Sequence, residues 1–263
     1  MGALLEIANI SKHFGAFAAV KDLSFQIESD KIYGIAGPNG AGKTTLFNVI
    51  TSNPYHTTSG KILFKGKEIQ HLSPNEICHM GISRTFQISR VFENFTYLEN
   101  VEIGGTFGRS ATTSKLIELL FKRKKEELKE KSIEFLDFVG LAGKQNNIAT
   151  GISLFDKKML MLASVLATNP IIIMLDEPFG GLNEVEIEKS MKLIRKIYDQ
   201  GTTVVVVEHN MKALMTLSGW VMIMHHGEKL CEGEPKNVCK NKEVIDAYLG
   251  REIIDLTESD TDA

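Results

Sequence analysis

The sequence predicts an α/β fold, a core of alternating strands and helices interrupted by a helical insert over about residues 88–159. Three observations predict it. KIYGIAG is a short apolar strand that runs into a glycine-rich turn, and TTLFNVIT then opens a helix. The apolar runs IIIML and VVVV are of strand length, and the first ends on two acids. Between these halves, from Thr96 to about Leu141, apolar residues recur at helical spacing above a charged outer face.

The elements follow in order. LLEIANISKHF and LSFQIE alternate and are rich in β-formers, which predicts two early strands. KILFKGKEI reads as a hairpin around Gly66. Pro74 and Asn75 start a helix over PNEICHMG, and ISRTFQ is a strand ending on Gln87. In the insert, Lys122 to Lys125 form a basic run that reads as a solvated helix face. GISLFDKKMLMLASVL begins as a loop at 152–156 and continues as a buried helix. IIIMLDEP is a strand, a helix covers about Glu184 to Gln200, TTVVVVEH is a strand, and another helix starts at Asn210. VMIMHHGEKLCEG predicts a terminal hairpin and EVIDAYLG a last helix. The expected domain is 1–252, with its core at 1–87 and 160–252; residues 253–263 form an acidic tail expected to be disordered.

Composition narrows the function. The 263 residues carry a net charge of −3, which gives no ground for broad nucleic-acid binding. The three cysteines, Cys78, Cys231 and Cys239, are scattered, so no disulfide framework or zinc site is expected. MGALLEIANI lacks the pattern of a signal peptide, and no segment is long enough to span a bilayer. Any membrane role is expected to run through a partner.

GPNGAGKT, Gly37 to Thr44, fits G-x-x-x-x-G-K-[ST] between a strand and a helix. Gly37, Gly40 and Gly42 let the backbone N–H groups of Asn39, Ala41 and their neighbours turn toward phosphates, with Pro38 shaping the loop and Thr45 following into the helix. The helix N-terminus adds its positive dipole end. Lys43 can reach the β- and γ-phosphates, and the Thr44 hydroxyl can ligate Mg²⁺. IIIMLDEP delivers Asp176 to a strand tip, where one carboxylate can hold Mg²⁺ through water. Glu177 beside it can accept a proton from attacking water or orient it. His209 ends TTVVVVEH at an equivalent tip, which favours a γ-phosphate contact, since such sheets bind ligands at the C-terminal ends of their strands. Gln87 is a strand-end amide that can ligate Mg²⁺ and sense the γ-phosphate, or an ordinary polar residue. Phe14 has two readings, an adenine stack or a core side chain.

These elements in this order resemble the ATP-binding subunit of ABC transporters over nearly the whole chain. The resemblance implies a P-loop NTPase with a RecA-like core, an antiparallel β subdomain and an inserted helical subdomain. It places Phe14 at the adenine-stacking position, GPNGAGKT as the Walker A loop, and Gln87 in the Q-loop. IIIMLDEP becomes the Walker B strand with Glu177 catalytic, Gly180 to Asn183 the D-loop, and His209 the switch histidine. It further implies ATP and Mg²⁺ as cofactors and a dimer in which each nucleotide lies between one subunit's Walker A and the other's signature loop. MGISRTFQISRVFENFTYLENV, EHNMKALM and VIDAYLG are similar to the larger ATPase subunit of branched-chain amino acid, amide and urea importers. The implied partners are a paralogous ATPase, two membrane permeases, which would dock on Ile88 to Asn100, and indirectly a solute-binding protein. The implied location is the cytoplasmic face of the membrane.

One stretch departs from the family. Where L-S-G-G-Q is usual, the chain has Ile152-Ser153-Leu154-Phe155-Asp156. Ser153 retains a hydroxyl for the partner's γ-phosphate. Phe155 in place of glycine removes room for close backbone approach and easy access to positive φ. Lys157 replaces a usual glutamine, and Ser164 a usual arginine. The expectation is a heterodimer with one competent and one weak site, since losing one aimed donor costs roughly 10²–10³ in rate. Competing readings are a structural ATP-binding subunit, a cytosolic ABC protein acting on ribosomes or DNA, and a P-loop kinase. The last two would require a second ATPase unit, a long coiled-coil insert, or an acceptor lid.

Overall fold

Strands β1 (Leu5–Phe14) and β2 (Phe17–Ile27) form an antiparallel hairpin, extended by β4 (Ser59–Phe64) and β5 (Lys67–Glu68) into a sheet of order β2-β1-β4-β5. A second sheet contains β3 (Tyr33–Ala36), β6 (Ile82–Arg84), β7 (Ile172–Asp176), β8 (Thr203–Val207), β9 (Trp220–His225) and β10 (Glu228–Gly233). Its order is β10-β9-β3-β8-β7-β6, parallel except for the β9–β10 hairpin. The structure is a computed structural model and describes residues 2–29, 31–87, 90–109 and 122–248. The expected tail at 253–263, and Ile88 and Ser89 of the expected docking segment, lie outside the described residues.

The parallel sheet is buried on both faces, which is why its strands read as unbroken apolar runs rather than alternating ones. In β7 and β8 the alternation survives as a division of labour. Ile173, Leu175, Val204 and Val206 join one core cluster, and Ile172, Met174, Val205 and Val207 join the other. Burying each such side chain stabilises by about 1.5–3 kcal/mol. The second cluster also takes in α1 (Lys43–Ile50) and the inner face of the antiparallel sheet, so both sheets grip the first helix.

The remaining helices are α2 (Pro74–Met80), α3 (Tyr97–Phe107), α4 (Lys122–Phe138), α5 (Leu154–Ala167), α6 (Glu184–Asp199), α7 (Met211–Leu217), α8 (Pro235–Val238) and α9 (Lys242–Tyr248). Their starts are legible. Ser73, Thr96 and Asn183 each cap a helix, and Glu76, Glu99 and Glu186 return the bond to the cap backbone. Helix α3 lies close against α5, because a Cβ at Gly104 would collide with the Ser164 carbonyl. The Ser164 hydroxyl donates to the Asn100 carbonyl across that contact at 3.0 Å. A long side chain at 164 would have to leave this interface.

Two expectations need correction. Strand β6 ends at Arg84, not at Gln87. After it, Thr85 N–H still donates to the Met174 carbonyl at 2.9 Å, and the chain then leaves the sheet. The expected loop at 152–156 is also shorter. Helix α5 starts at Leu154, because Ser153 Oγ accepts the Asp156 N–H at 3.1 Å and nucleates the first turn.

Candidate functional site

The turn from Gly37 to Gly42 leaves the tip of β3 and enters α1. Pro38 is half-buried, Ala41 is buried, Asn39 and Gly40 face solvent, and Thr44 and Thr45 lie in the first helical turn, the former exposed. The cap residue Gly42 is left-handed, at φ 99°, and makes no side-chain cap bond. A Cβ there would collide with the Ala19 carbonyl, so only glycine permits this entry to the helix. Lys43 Nζ lies inside the turn and donates to the carbonyls of Gly37 at 2.6 Å and Pro38 at 3.1 Å. Burial pulls its ammonium below the ordinary lysine value, and Glu177 and Asp176 act in the opposite direction.

Asp176 ends β7 and is buried. Its Oδ2 accepts from Arg84 Nη2 at 3.1 Å, and Arg84 Nη1 also donates to Asn48 Oδ1 at 2.8 Å on α1. Asp176 Oδ1 has no hydrogen-bond partner among the described residues. Burial pushes the carboxyl up to about 6 and outweighs the attraction of Arg84. Arg84, which sequence reasoning did not single out, is shifted down by the same desolvation. A charged residue inside a three-residue strand was the available signal.

Glu177 follows with φ 48°, a left-handed conformation that costs a side-chain-bearing residue about 1–2 kcal/mol. The turn brings its Oε2 within 2.9 Å of Gln87 Nε2, which donates, and within 3.9 Å of His209 Nδ1. Three residues from separate segments therefore converge at the tips of neighbouring strands. The His209 side chain is 57% exposed, so its ring opens to the solvent side of the site. Two buried charges support this cluster from behind. Lys158 Nζ donates to the Glu177 carbonyl at 2.8 Å, and Glu208 lies between the Glu177 turn and His209. Neither stood out in the sequence, since both are charged residues within or beside apolar runs.

Ser153 caps α5, and the side chains of the first turn are engaged within the chain. Asp156 Oδ2 accepts from Tyr97 Oη at 3.1 Å and Lys144 Nζ at 2.6 Å. Burial and then Asp156 push the Tyr97 hydroxyl up to about 12. Lys157 pairs with Glu93 at 2.9 Å. Phe155 packs half-buried against the core, with a φ outside the left-handed region. Loss of access to positive φ is therefore not a cost here, because a helical first turn does not use it. Leu154, 44% exposed, is the apolar side chain this turn turns outward. Phe14 is 40% exposed and meets Tyr55 edge-on at 4.9 Å, so the core reading of Phe14 is excluded.

A family model described as ABC transporter matches residues 20–180, more than half of the chain. The chain belongs to the ABC transporter family. It is the ATP-binding component, an ABC ATPase. It is 35% identical over 252 residues to the high-affinity branched-chain amino acid transport ATP-binding protein BraF of Pseudomonas aeruginosa, covering 94% of this chain and 98% of that relative. The ADP conformation of an ATP-binding cassette of an ABC transporter matches with a TM-score of 0.83 at 30% identity, over 95% of this chain and 100% of the other. A dimeric post-hydrolysis cassette bound to ADP and Pi matches with a TM-score of 0.74 at 26% identity, over 88% and 98%. No helix of this ABC ATPase among the described residues is long and apolar enough to cross a membrane.

Proposed function

We propose that the chain binds ATP with Mg²⁺ and couples its hydrolysis to the import of branched-chain amino acids or related polar solutes. The observation that carries the hydrolytic reading is the convergence of Glu177, Gln87 and His209 at 2.9 and 3.9 Å beyond the lysine turn. The solute rests on the likeness to BraF. Lys43 and the backbone N–H groups of the Gly37–Thr45 turn hold the phosphates, and Phe14 stacks on the adenine. Mg²⁺ would be held by Thr44, Gln87 and Asp176. The unpartnered Asp176 Oδ1 fits that role, and a single carboxylate oxygen suits a hard cation that keeps waters and substrate oxygens. Bound there, the metal would neutralise charge developing on the phosphates. Glu177 takes a proton from the attacking water, whose oxygen bonds the γ-phosphorus as the β–γ bridge oxygen leaves. His209 donates to the γ-phosphate.

The partners in this reading are a paralogous ATPase, two permeases and a solute-binding protein, with the chain peripheral at the cytoplasmic face of the membrane. Ser153 reaches the partner's γ-phosphate. The heterodimer with one weak site is supported by the first turn of α5, where Phe155 stands in place of the usual glycine and packs half-buried against the core. Reconstitution tests the function: proteoliposomes with the permeases and second ATPase take up leucine in an ATP-dependent way, and uptake without this chain sinks the reading. The asymmetry is tested on the isolated chain, and rapid turnover abolished by Glu177→Gln would overturn it.

A further inference from the structure

The two proposed catalytic groups sit on different turns. Glu177 follows β7 and His209 follows β8, and the last ladder bond, Glu177 N–H to the Val207 carbonyl at 2.9 Å, lies behind both. Beyond it the sheet no longer sets their spacing. Glu208 lies there, fully buried at 0% exposure. Its Oε1 accepts the Phe179 N–H at 2.7 Å, on the turn that carries Glu177. Its Oε2 accepts the N–H groups of His209 at 3.0 Å and Asn210 at 3.2 Å. One carboxylate therefore ties both turns by their backbones. It also holds the strained Glu177 turn closed, since residues in sparsely populated conformations persist only where their surroundings over-determine them. Lys158 anchors the same turn from α5 and sets a cation near the buried acid.

We infer that Glu208 is a positioning residue for ATP hydrolysis, fixing the Glu177 carboxylate and the His209 ring at one mutual distance. This rests on the hydrolytic reading of Glu177 and His209. Glu208→Gln keeps the shape and one acceptor, and turns an N–H donor toward one of the two turns. In the assembled transporter it is expected to leave ATP affinity within about twofold while kcat falls about 10–100-fold, the scale on which a small misplacement acts. Its melting temperature is expected to fall by several degrees, because one buried backbone N–H then faces a donor, while the chain stays folded and binds ATP. In a His209→Ala background the same substitution is expected to add at most about twofold, because residues acting as a unit are not additive. Glu208→Asp keeps the charge but is one methylene short of spanning both turns, and carries the same expectation if Glu208→Gln does not fold. Unchanged kcat, losses that add fully to those of His209→Ala, or ATP affinity falling in step with kcat would each overturn the inference. Full turnover in both Glu177→Gln and His209→Ala would instead sink the hydrolytic reading beneath it.

Discussion

The starts of α1 and α5 are both short polar turns that open an apolar helix, and they differ in whether a side chain caps a backbone donor. At α1 the cap is Gly42, left-handed and without a side chain, and no side-chain cap bond is made. At α5 the cap is Ser153, whose hydroxyl accepts the Asp156 N–H, and the side chains of Asp156 and Lys157 are engaged by Tyr97, Lys144 and Glu93. A helix N-terminus has four N–H groups without intrahelical partners. A turn that leaves them to an external anion pays in local stability; a turn whose cap side chain satisfies one of them gains stability and offers one donor fewer to a ligand.

Substitutions separate the two designs. The largest effect is expected behind the first turn, at Arg84→Met, which leaves Asp176 buried without its partner. A loss of about 3–5 kcal/mol is expected in urea unfolding, and a change below 1 kcal/mol would mean the pair contributes little. Next, Lys43→Ala removes a charged donor at α1 and is expected to weaken ATP binding about 10–100-fold by calorimetry, the equivalent of about 1.5–3 kcal/mol. Gly42→Ala forces a Cβ toward the Ala19 carbonyl at a left-handed position. The left-handed position alone is expected to cost about 1–2 kcal/mol of folding stability, the collision adds to it, and ATP affinity is expected to fall with it. The smallest effect is at α5. Ser153→Ala is expected to cost about 1 kcal/mol by removal of the cap, seen as a lower melting temperature. ATP affinity of the isolated chain should be unaffected by it. A Ser153→Ala chain that lost affinity for ATP would break the contrast between the two turns.

Much of this is legible in the residue order. The buried strands announced themselves as apolar runs, and glycines in GPNGAGKT marked a turn that only they can make. Caps at Ser73, Thr96 and Asn183 coincide with the helix starts the sequence pattern placed nearby. The start of α5 reads as loop in the sequence because Ser153 fits a ligand role as well as a cap. Arg84, Lys158 and Glu208 escaped notice because a buried charge looks the same in sequence as a solvated one.

The order of residues alone thus determined the local matters: which segments are strand or helix, where the phosphate turn lies, and which acids and histidine end the strands. Those follow from periodicity, glycine placement and capping, all short-range. Only the tertiary structure decided that Gln87, Glu177 and His209 meet, that Arg84 neutralises Asp176, and that Glu208 ties two turns together. The physical reason is parallel strand order. It sets β8 beside β7 and β6 on the other side of β7, so residues up to 122 positions apart, from Gln87 to His209, share one edge of the sheet.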